Sequence, residues 1–342
     1  MANEFSSSIT AFGINSSNGA LSAVGTPIAT GTTPSSVTAD PSGRFVYVAN
    51  SGQFSVSAYT SNSTSGALSE ISGSPFTTQS GPQSVAVDPS GRFLYVANRS
   101  SINGSTAFTI NATTGALTEM AGSPFSIGNG PYAITVDPTG RFAYVANQTS
   151  GSVTDTISAY TINPNTGALS VLASSPFPTL KAPSSLAVDP TGRFLYVANA
   201  AFINGAYYVT AYAIDSTSGA LTELTNSPFS TISGSPTSVA VDPLGEFLYT
   251  SLSTDNIRAY TVDADSGDLG FISSYQLVSG VDPQSIAIDA SGRFVYTANG
   301  TSADVSGFII NAGSGALTQI SGSPFTTGGS GPISITTIGT VQ

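Results

Sequence analysis

The chain has 342 residues, of which 40% are hydrophobic and only 8% are charged, and its formal net charge at pH 7 is −11. About a quarter of the residues in an ordinary soluble protein are charged, so uncharged hydroxyl and amide groups must form most of this polar surface. Nucleic-acid binding requires many basic contacts to phosphate, and an acidic chain with eight Lys and Arg residues argues against it.

Histidine and cysteine are both absent from the sequence. This absence excludes Ser-His-Asp catalysis, a histidine base, a histidine-ligated metal, thiolate chemistry and disulfides. No apolar run is long enough to cross a bilayer, which takes about 18 residues. We therefore expect no cofactor and no membrane insertion.

The first predicted elements in chain order form half of a four-stranded unit. Residues 9–12 are predicted to be a third strand, and Gly19-Ala20-Leu21 lies in a fourth. Met1-Ala2-Asn3 lines up with the end of the second strand of later units. Most of that second strand is lacking, so we expect that the natural chain begins further upstream and that an export segment is not part of this sequence.

The first complete unit shows all four strands. Residues 36–40 are a short alternating strand, and Asp40-Pro41-Ser42-Gly43 is typical of a tight turn. In residues 44–50, side chains alternate between two faces with the period of two that a strand requires, so this segment is the second strand. Residues 54–60 form the third strand, and residues 66–72 form the fourth. Ser74-Pro75-Phe76 is predicted to end the unit, because Pro cannot donate to a ladder.

The same unit recurs about every 49 residues along the chain. Its turn aspartate reappears at Asp88, Asp137, Asp189, Asp242 and Asp289, and the Gly-Ala-Leu landmark occurs at Gly19, Gly66, Gly115, Gly167, Gly219 and Gly315, with Gly267-Asp268-Leu269 as a variant. Seven copies predict an all-β, seven-bladed β-propeller of four-stranded antiparallel blades, folded as a single domain over residues 1–342. Residues 1–28 and 331–342 should share the blade that closes the ring, and we expect a monomer.

The Tyr-Val-Ala-Asn strand that follows Asp-Pro-Ser-Gly-Arg-Phe, together with the Thr-Gly-Ala-Leu turn, resembles the seven-bladed lactonase-type propellers and the related YVTN-repeat propellers. This resemblance extends over nearly the whole chain. It implies the propeller fold and two kinds of function, namely lactone hydrolysis, as in 6-phosphogluconolactonases, or a surface and secreted role.

Candidate site residues are the charges that do not recur at the turns. The connections from second to third and from fourth to first strand share one face, here called the loop face, on which a propeller usually binds its ligand. The non-recurring charges in or near it are Arg99, Asp155, Lys181, Asp255, Arg258 and Asp282. Longer second-to-third connections at residues 148–156 and 200–208 add Tyr207 and Tyr208 as possible stacking groups.

Asp263, Asp265 and Asp268 have a spacing that suggests a weak calcium site. The segment also aligns with the ordinary third-to-fourth turn of the other units, so turn chemistry is the alternative interpretation, and we expect no metal site elsewhere.

Two functions remain open. The first is a secreted or cell-surface binding or scaffold module, extracellular or periplasmic, with an unknown small molecule, glycan or protein bound on the loop face. The alternative is a lactone hydrolase in which Asp155, Asp255 or Asp282 activates water and Arg99, Arg258 or Lys181 stabilises the oxyanion. The absence of histidine and cysteine favours the binding module.

Overall fold

The computed structural model describes residues 1–99, 104–126, 128–149, 155–232, 234–278 and 281–339. Every regular element in these ranges is a strand, and the strands form seven radial sheets plus one two-stranded hairpin, which confirms the predicted all-β seven-bladed propeller. Blades one to six follow in chain order from residue 34, and blade seven closes the ring. Residues 150–154 of the long connection predicted at 148–156 lie outside the described ranges.

The two inner strands of each blade are the most regular. The first strand begins at a proline beside the central channel, and the second is buried along its core stretch because a neighbouring blade covers each of its faces. First strands are Pro34–Ala39, Pro82–Val87, Pro131–Val136, Pro183–Val188, Pro236–Val241, Pro283–Ile288 and Pro332–Ser334. Second strands are Phe45–Asn50, Phe93–Asn98, Phe142–Asn147, Phe194–Ile203, Phe247–Leu252, Phe294–Asn299 and Ala2–Asn3.

The third and outer strands complete each blade. Third strands are Ser55–Ser61, Ser105–Ile110, Asp155–Ile162, Ala206–Ile214, Asn256–Val262 and Asp304–Ile310, and blade seven has Ser8–Ile9 followed by Phe12–Ile14. Outer strands are Leu68–Glu70, Leu117–Glu119, Leu169–Val171, Leu221–Glu223, Leu269–Gln276, Leu317–Gln319 and Leu21–Ala23. A second outer piece follows at Phe76–Thr77, Phe177–Thr179, Phe229–Ser230, Phe325–Thr326 and Ile28–Ala29.

The Ser-Pro pair predicted to end each unit interrupts the outer edge without ending it. In blade one the ladder resumes at Phe76, which pairs with Val56 of the third strand. Pro75 has no N–H to donate, and the hydroxyl of Ser74 accepts the Ala58 N–H at 3.0 Å in place of a ladder carbonyl. Blade five lacks the Ser-Pro pair, and its outer strand runs unbroken from Leu269 to Gln276.

Both chain ends contribute to blade seven, as predicted. Pro332–Ser334 is its first strand and pairs with Ala2–Asn3, which in turn pairs with Ser8–Ile9. Pro332–Ser334 also contacts the first strands of blades six and one, so the inner ring is continuous. The second strand is short, as expected from Met1-Ala2-Asn3. Burial lowers the pKa of the Met1 α-amino group to about 5, and this group donates to the Thr10 carbonyl at 3.0 Å.

Neighbouring blades are joined on the face opposite the loop face, here called the turn face. In blade two the hydroxyl of Tyr95 donates to the carbonyl of Gly167 in blade three at 2.7 Å. A Cβ on Gly167, whose φ is +74°, would lie 2.5 Å from the ring of Phe93. We call this arrangement of a Phe and a Tyr on a turn glycine the aromatic latch. It recurs at Gly19, Gly115, Gly219, Gly267 and Gly315.

Over the described residues no helix is long and apolar enough to cross a membrane.

Candidate functional site

A pocket of about 150 Å³ opens on the loop face between blades six and seven. The start of the first strand in blade six supplies Asp282 and Gln284, and the connection after its second strand supplies Thr301. Blade seven contributes Glu4 and Phe5 from the connection after its short second strand. The pocket therefore combines two carboxylates, an amide, a hydroxyl and an exposed aromatic ring.

Asp282 is the carboxylate that the pocket holds in a defined orientation. Its Oδ1 accepts from Nε2 of Gln284 at 2.6 Å, and its Oδ2 accepts from the hydroxyl of Thr301 at 3.3 Å. The backbone at Asp282 has a φ of +66°, a left-handed conformation that Asp tolerates better than most residues. Asp282 is half-buried and borders the pocket.

Asp255 supports Asp282 from blade five. Its Oδ1 accepts the backbone N–H of Asp282 at 2.8 Å, and its own carbonyl accepts from Leu277 N at 2.8 Å. Asp255 also has a left-handed backbone, with a φ of +59°. The structure thus brings together two of the predicted carboxylates, with Asp255 fixing the backbone of Asp282.

Arg258 is buried in the third strand of blade five, with 6% of its surface exposed. Its Nη1 donates to the carbonyl of Thr231 at 2.8 Å, and its guanidinium lies 4.2 Å from the ring centroid of Phe271. Its Nε has no partner in the part of the chain that the structure describes. A guanidinium packed in this way joins blades four and five and does not border the loop-face pocket.

The position of Arg258 is a departure from the repeat. In other blades the second strand ends in a buried Asn whose amide donates to a Ser or Thr on the third strand, as Asn199 does to Thr210 at 3.0 Å. Blade five has Leu252 and Arg258 at these two positions. Because Leu252 cannot donate, the long Arg side chain reaches the preceding connection instead.

Asp155 begins the third strand of blade three, and Lys181 lies in the connection between blades three and four. Asp155 is buried, and its two oxygens accept from the backbone N–H groups of Thr149 at 2.8 Å and Ala182 at 2.7 Å. Lys181 is half-buried in the same connection. Asp155 therefore orders the connection through hydrogen bonds to the backbone.

Arg99 stands apart from the predicted carboxylates. It is exposed after the second strand of blade two, and its guanidinium lies 5.0 Å from the ring centroid of Tyr132 in blade three. Such stacking is worth about 0.5–1 kcal/mol at an exposed site. Arg99 and Tyr132 thus form a cationic and aromatic patch on a different part of the loop face from Asp282.

Tyr207 and Tyr208 belong to a hairpin that extends blade four. The second strand continues to Ile203, and the chain turns at Asn204 and Gly205 before it returns from Ala206. Phe202 is 63% exposed, and its ring centroid is 5.1 Å from that of Tyr207. Tyr208 pairs with Asn199 in the ladder. The hairpin therefore displays one aromatic pair.

The Asp263 segment forms the ordinary third-to-outer turn. Oδ1 of Asp263 accepts from the N–H and the hydroxyl of Ser266 and from the N–H of Asp265, and these bonds lower the pKa of its carboxyl below the usual range. Asp268 accepts from Asn226 at 2.6 Å. These carboxylates do not converge, and no group of three or more Asp and Glu residues in the described ranges is arranged to hold a metal ion.

Sequence reasoning missed the partners of Asp282. Glu4 follows Asn3 as Arg99 follows Asn98, so the repeat alignment already places Glu4 on the loop face. Gln284 and Thr301 carry no charge and resemble the many other Ser, Thr and Gln residues of the chain. No sequence signal distinguishes them.

The fold and the loop-face pocket define the class of protein as a seven-bladed propeller with an acidic pocket between blades six and seven. The family model "Lactonase, 7-bladed beta-propeller" matches residues 1–130, 73–179, 118–241 and 230–330. The protein belongs to this lactonase family of propellers, as the sequence motifs indicated. Among curated proteins, none matches the sequence significantly.

Solved structures share the fold at low identity. A putative 6-phosphogluconolactonase from Bacteroides fragilis superposes with a TM-score of 0.78 at 21% identity, covering 97% of this chain and 95% of that one. A second, from Bacteroides uniformis, gives 0.79 and 21%, with coverage of 97% and 96%. The periplasmic gluconolactonase of Pseudomonas aeruginosa gives 0.72 and 20%, with coverage of 93% and 92%.

Proposed function

We propose that the protein is a lactone hydrolase whose site is the loop-face pocket, with Asp282 as general base. The observation that carries this proposal is the orientation of the Asp282 carboxylate by Gln284 and Thr301 at the edge of an open pocket. Membership of the lactonase family supports the reaction type. The absence of histidine makes a carboxylate the only side chain in the pocket that is suited to act as a base near neutral pH.

Ester hydrolysis at this site requires two proton transfers. Asp282 takes a proton from a water molecule as the water oxygen attacks the lactone carbonyl carbon. The ring C–O bond then breaks, and the leaving oxygen recovers the proton from Asp282. The second Nε2 hydrogen of Gln284 is available to the developing oxyanion, because only the first is donated to a described residue, Asp282.

The preferred substrate in this proposal is an uncharged lactone. Glu4 and Asp282 border the same pocket, and the chain as a whole carries a net charge of −11. A phosphorylated lactone would be repelled by this field. The lysine and arginine residues of the loop face, Lys181 and Arg99, do not border the pocket.

A panel of neutral and phosphorylated lactones, assayed at neutral pH, tests the proposal. We expect turnover of at least one neutral lactone, and a loss of at least about 100-fold in kcat/KM for Asp282→Asn. Asp265→Asn removes the same charge from an exposed turn and should leave turnover unchanged. Absence of turnover across the panel, or equal activity in the two variants, would refute the assignment.

An exported setting, periplasmic or extracellular, is part of this proposal. The low content of charged residues supports it, and a solved propeller of the same fold is described as periplasmic. Immunoblotting of cell fractions from the native host tests the location, and recovery in the cytosol alone would contradict it.

A second candidate function is binding at the aromatic hairpin of blade four. Phe202 and Tyr207 form an exposed pair of the kind that stacks on a sugar ring or an extended peptide. Glycan-array binding by the wild type and by Phe202→Ala tests it. The hairpin lies on blade four and the pocket between blades six and seven, so Phe202→Ala should leave lactone turnover intact.

A further inference from the structure

Arg258 is a buried cation at a position where other blades have a small hydroxyl group. It lies on the third strand of blade five and pairs with Thr250 of the second strand. The equivalent residues of blades one to four and six are buried and uncharged, namely Ser57, Thr106, Ser158, Thr210 and Ser306. A buried charge is costly unless an opposite charge accompanies it. The arginine of blade five therefore needs a partner that the serines and threonines do not.

The described residues supply no counter-charge for this guanidinium. Nη1 donates to the carbonyl of Thr231 at 2.8 Å, and Nε has no partner among them. All 19 Asp and Glu residues of the chain lie in the described ranges, and no hydrogen bond joins any of their carboxylates to Arg258. Nε and Nη2 form the edge with which an arginine binds a carboxylate through two parallel hydrogen bonds. On Arg258 this edge has no negatively charged acceptor from the described residues.

Two hydroxyl groups lie on the same side of the sheet as the guanidinium. Burial raises the pKa of Tyr260 to about 12, although Arg258 opposes the rise, so the phenol keeps its proton near neutral pH. Its oxygen is 3.5 Å from the carbonyl of Ser230, which is a long hydrogen bond. Ser274 is exposed and pairs with Arg258 across the ladder, where paired side chains share one face. Both hydroxyls can donate to a negatively charged acceptor beside the guanidinium.

The guanidinium lies close to the surface between blades four and five. It is 4.2 Å from the ring centroid of Phe271, and that ring is 56% exposed. Ile232, which follows Thr231 in the connection from blade four, is 63% exposed. Arg258 itself is 6% exposed. A ligand would approach past these exposed side chains, and the burial of Arg258 favours a small one.

We infer that Arg258 binds a small carboxylate anion of the size of formate or acetate. The two carboxylate oxygens would accept from Nε and Nη2, and Tyr260 or Ser274 would donate to the same oxygens. One negative charge shared by two oxygens matches both the charge and the geometry of the guanidinium edge. A phosphate dianion would bring a second charge with no counter-charge. The site is independent of the proposed hydrolase, because Arg258 does not border the loop-face pocket.

The Nε–H resonance of Arg258 in a nitrogen–proton NMR spectrum of the 342-residue chain is the direct probe. The chain has seven arginines, since Lys181 is the one lysine among eight basic residues, and the signal that Arg258→Lys removes identifies the resonance. Sodium acetate replaces sodium chloride at pH 7 and constant ionic strength. We expect the resonance to move saturably with a Kd of about 1–10 mM, because a ligand with so few atoms binds weakly. The melting temperature should rise over the same range.

Arg258→Lys keeps the positive charge and removes the two-pronged edge. It should weaken acetate binding at least about 10-fold, measured by the rise in melting temperature. Arg193→Lys is the matched control. Arg193 also stacks on a phenylalanine ring, and its Nη1 and Nη2 already donate to the carbonyls of Ala264 and Asp265 at 2.7 and 3.0 Å. Acetate should stabilise this control as it does the wild type.

Two further arms keep the test decisive. If Arg258→Lys does not fold, Phe271→Leu identifies the same resonance in the wild-type titration, because the ring beside the guanidinium shifts its signal. N-acetyl-Gly-Gly presents the same carboxylate at the end of a peptide. It should bind at least about 10-fold more weakly than acetate, because the buried guanidinium limits the size of its ligand.

Three results would overturn the inference. The first is an Arg258 resonance that acetate does not move. The second is a movement of the same size when the chloride concentration is raised in place of acetate. The third is tighter binding of N-acetyl-Gly-Gly than of acetate, which would assign the site to the end of a peptide chain and not to a small anion.

Discussion

The turn face and the loop face of the propeller use the same kinds of residue in different ways. On the turn face Asp137 is buried, and its carboxylate accepts from the backbone N–H groups of Thr139, Arg141 and Phe142 at 3.0, 2.8 and 2.7 Å. On the loop face Asp282 accepts from two side chains and still borders a pocket. A carboxylate that accepts several hydrogen bonds from the backbone of its own turn stabilises the fold. A carboxylate that borders a cavity is available for chemistry.

The aromatic residues follow the same division. Turn-face tyrosines such as Tyr95 are buried and donate to a neighbouring blade. On the loop face, Phe202 is exposed and Tyr132 stacks under the guanidinium of Arg99. Positions that recur from blade to blade therefore fasten neighbouring blades together, and the loop-face positions that differ between blades are the candidates for ligand binding.

The largest effect we expect is alkaline unfolding caused by the buried tyrosines. Burial raises the pKa of Tyr59 and of Tyr260 to about 12, and burial followed by the nearby Asp88 raises the pKa of Tyr95. Unfolded tyrosines lose their proton near pH 10. The stabilisation is therefore complete below pH 10 and is lost as the pH rises towards the folded values.

Loss of the Tyr59 and Tyr260 protons in the unfolded chain should together lower the free energy of unfolding by about 4 kcal/mol between pH 10 and 12. The latch tyrosines add to this loss. Urea unfolding at pH 8, 10, 11 and 12 measures it, and a midpoint that stays constant to pH 12 would contradict the burial of these side chains.

Asp137→Ala should destabilise the protein by about 3–5 kcal/mol, because three backbone N–H groups lose the buried carboxylate that accepts from them. Asp215→Ala is the control, since Asp215 caps an exposed turn and should cost less than about 1 kcal/mol. Urea unfolding at pH 7 measures both variants. Similar losses in the two would remove the distinction between a buried and an exposed turn carboxylate.

Gly167→Ala and Gly66→Ala compare a turn glycine in the aromatic latch with Gly66, whose Cβ position is within 4 Å of Val24 alone, at 3.6 Å. Both glycines have a left-handed backbone, with φ of +74° and +71°, so Ala costs about 1–2 kcal/mol at either position. Gly167→Ala also forces a methyl group into the ring of Phe93, which should add about 1–3 kcal/mol. Thermal unfolding of both variants checks the difference, and equal losses would mean that the latch does not hold Phe93 tightly.

Tyr95→Phe should cost about 1–2 kcal/mol, because the buried carbonyl of Gly167 loses its donor while the ring remains. Tyr132→Phe, on the loop face, removes a hydroxyl that bonds no described residue and should change stability by less than about 0.5 kcal/mol. Thermal unfolding of the two variants measures both losses of stability. A loss in Tyr132→Phe as large as in Tyr95→Phe would count against the division between the faces.

The blade architecture could be predicted because its determinants are local and repeated. The Asp-Pro-Ser-Gly turn and the Gly-Ala-Leu turn fix strand lengths, and the match of Met1-Ala2-Asn3 to a second-strand end predicted the closing blade. The continuation of the outer strand beyond Pro75 was not predicted, because the hydroxyl of Ser74 replaces a ladder acceptor only once the third strand lies beside it.

The candidate site could be predicted only in part. Asp255, just before the third strand of blade five, does contact Asp282, at the end of the connection from blade five to blade six. The hydrogen bond of the Arg258 side chain to the connection between blades four and five could not be predicted. It depends on the replacement of the repeated Asn by Leu252 at the end of the adjacent strand. Gln284 and Thr301 become distinctive only through their contacts with Asp282.

The most direct test of the hydrolase site measures Asp282→Asn and Asp137→Ala side by side, each for lactone turnover and for free energy of unfolding, below the melting temperature of both variants. We predict that Asp282→Asn loses at least about 100-fold in kcat/KM and less than about 1 kcal/mol of stability. Asp137→Ala should keep kcat/KM near the wild-type value while losing about 3–5 kcal/mol. Wild-type turnover in Asp282→Asn would contradict the assignment of the base.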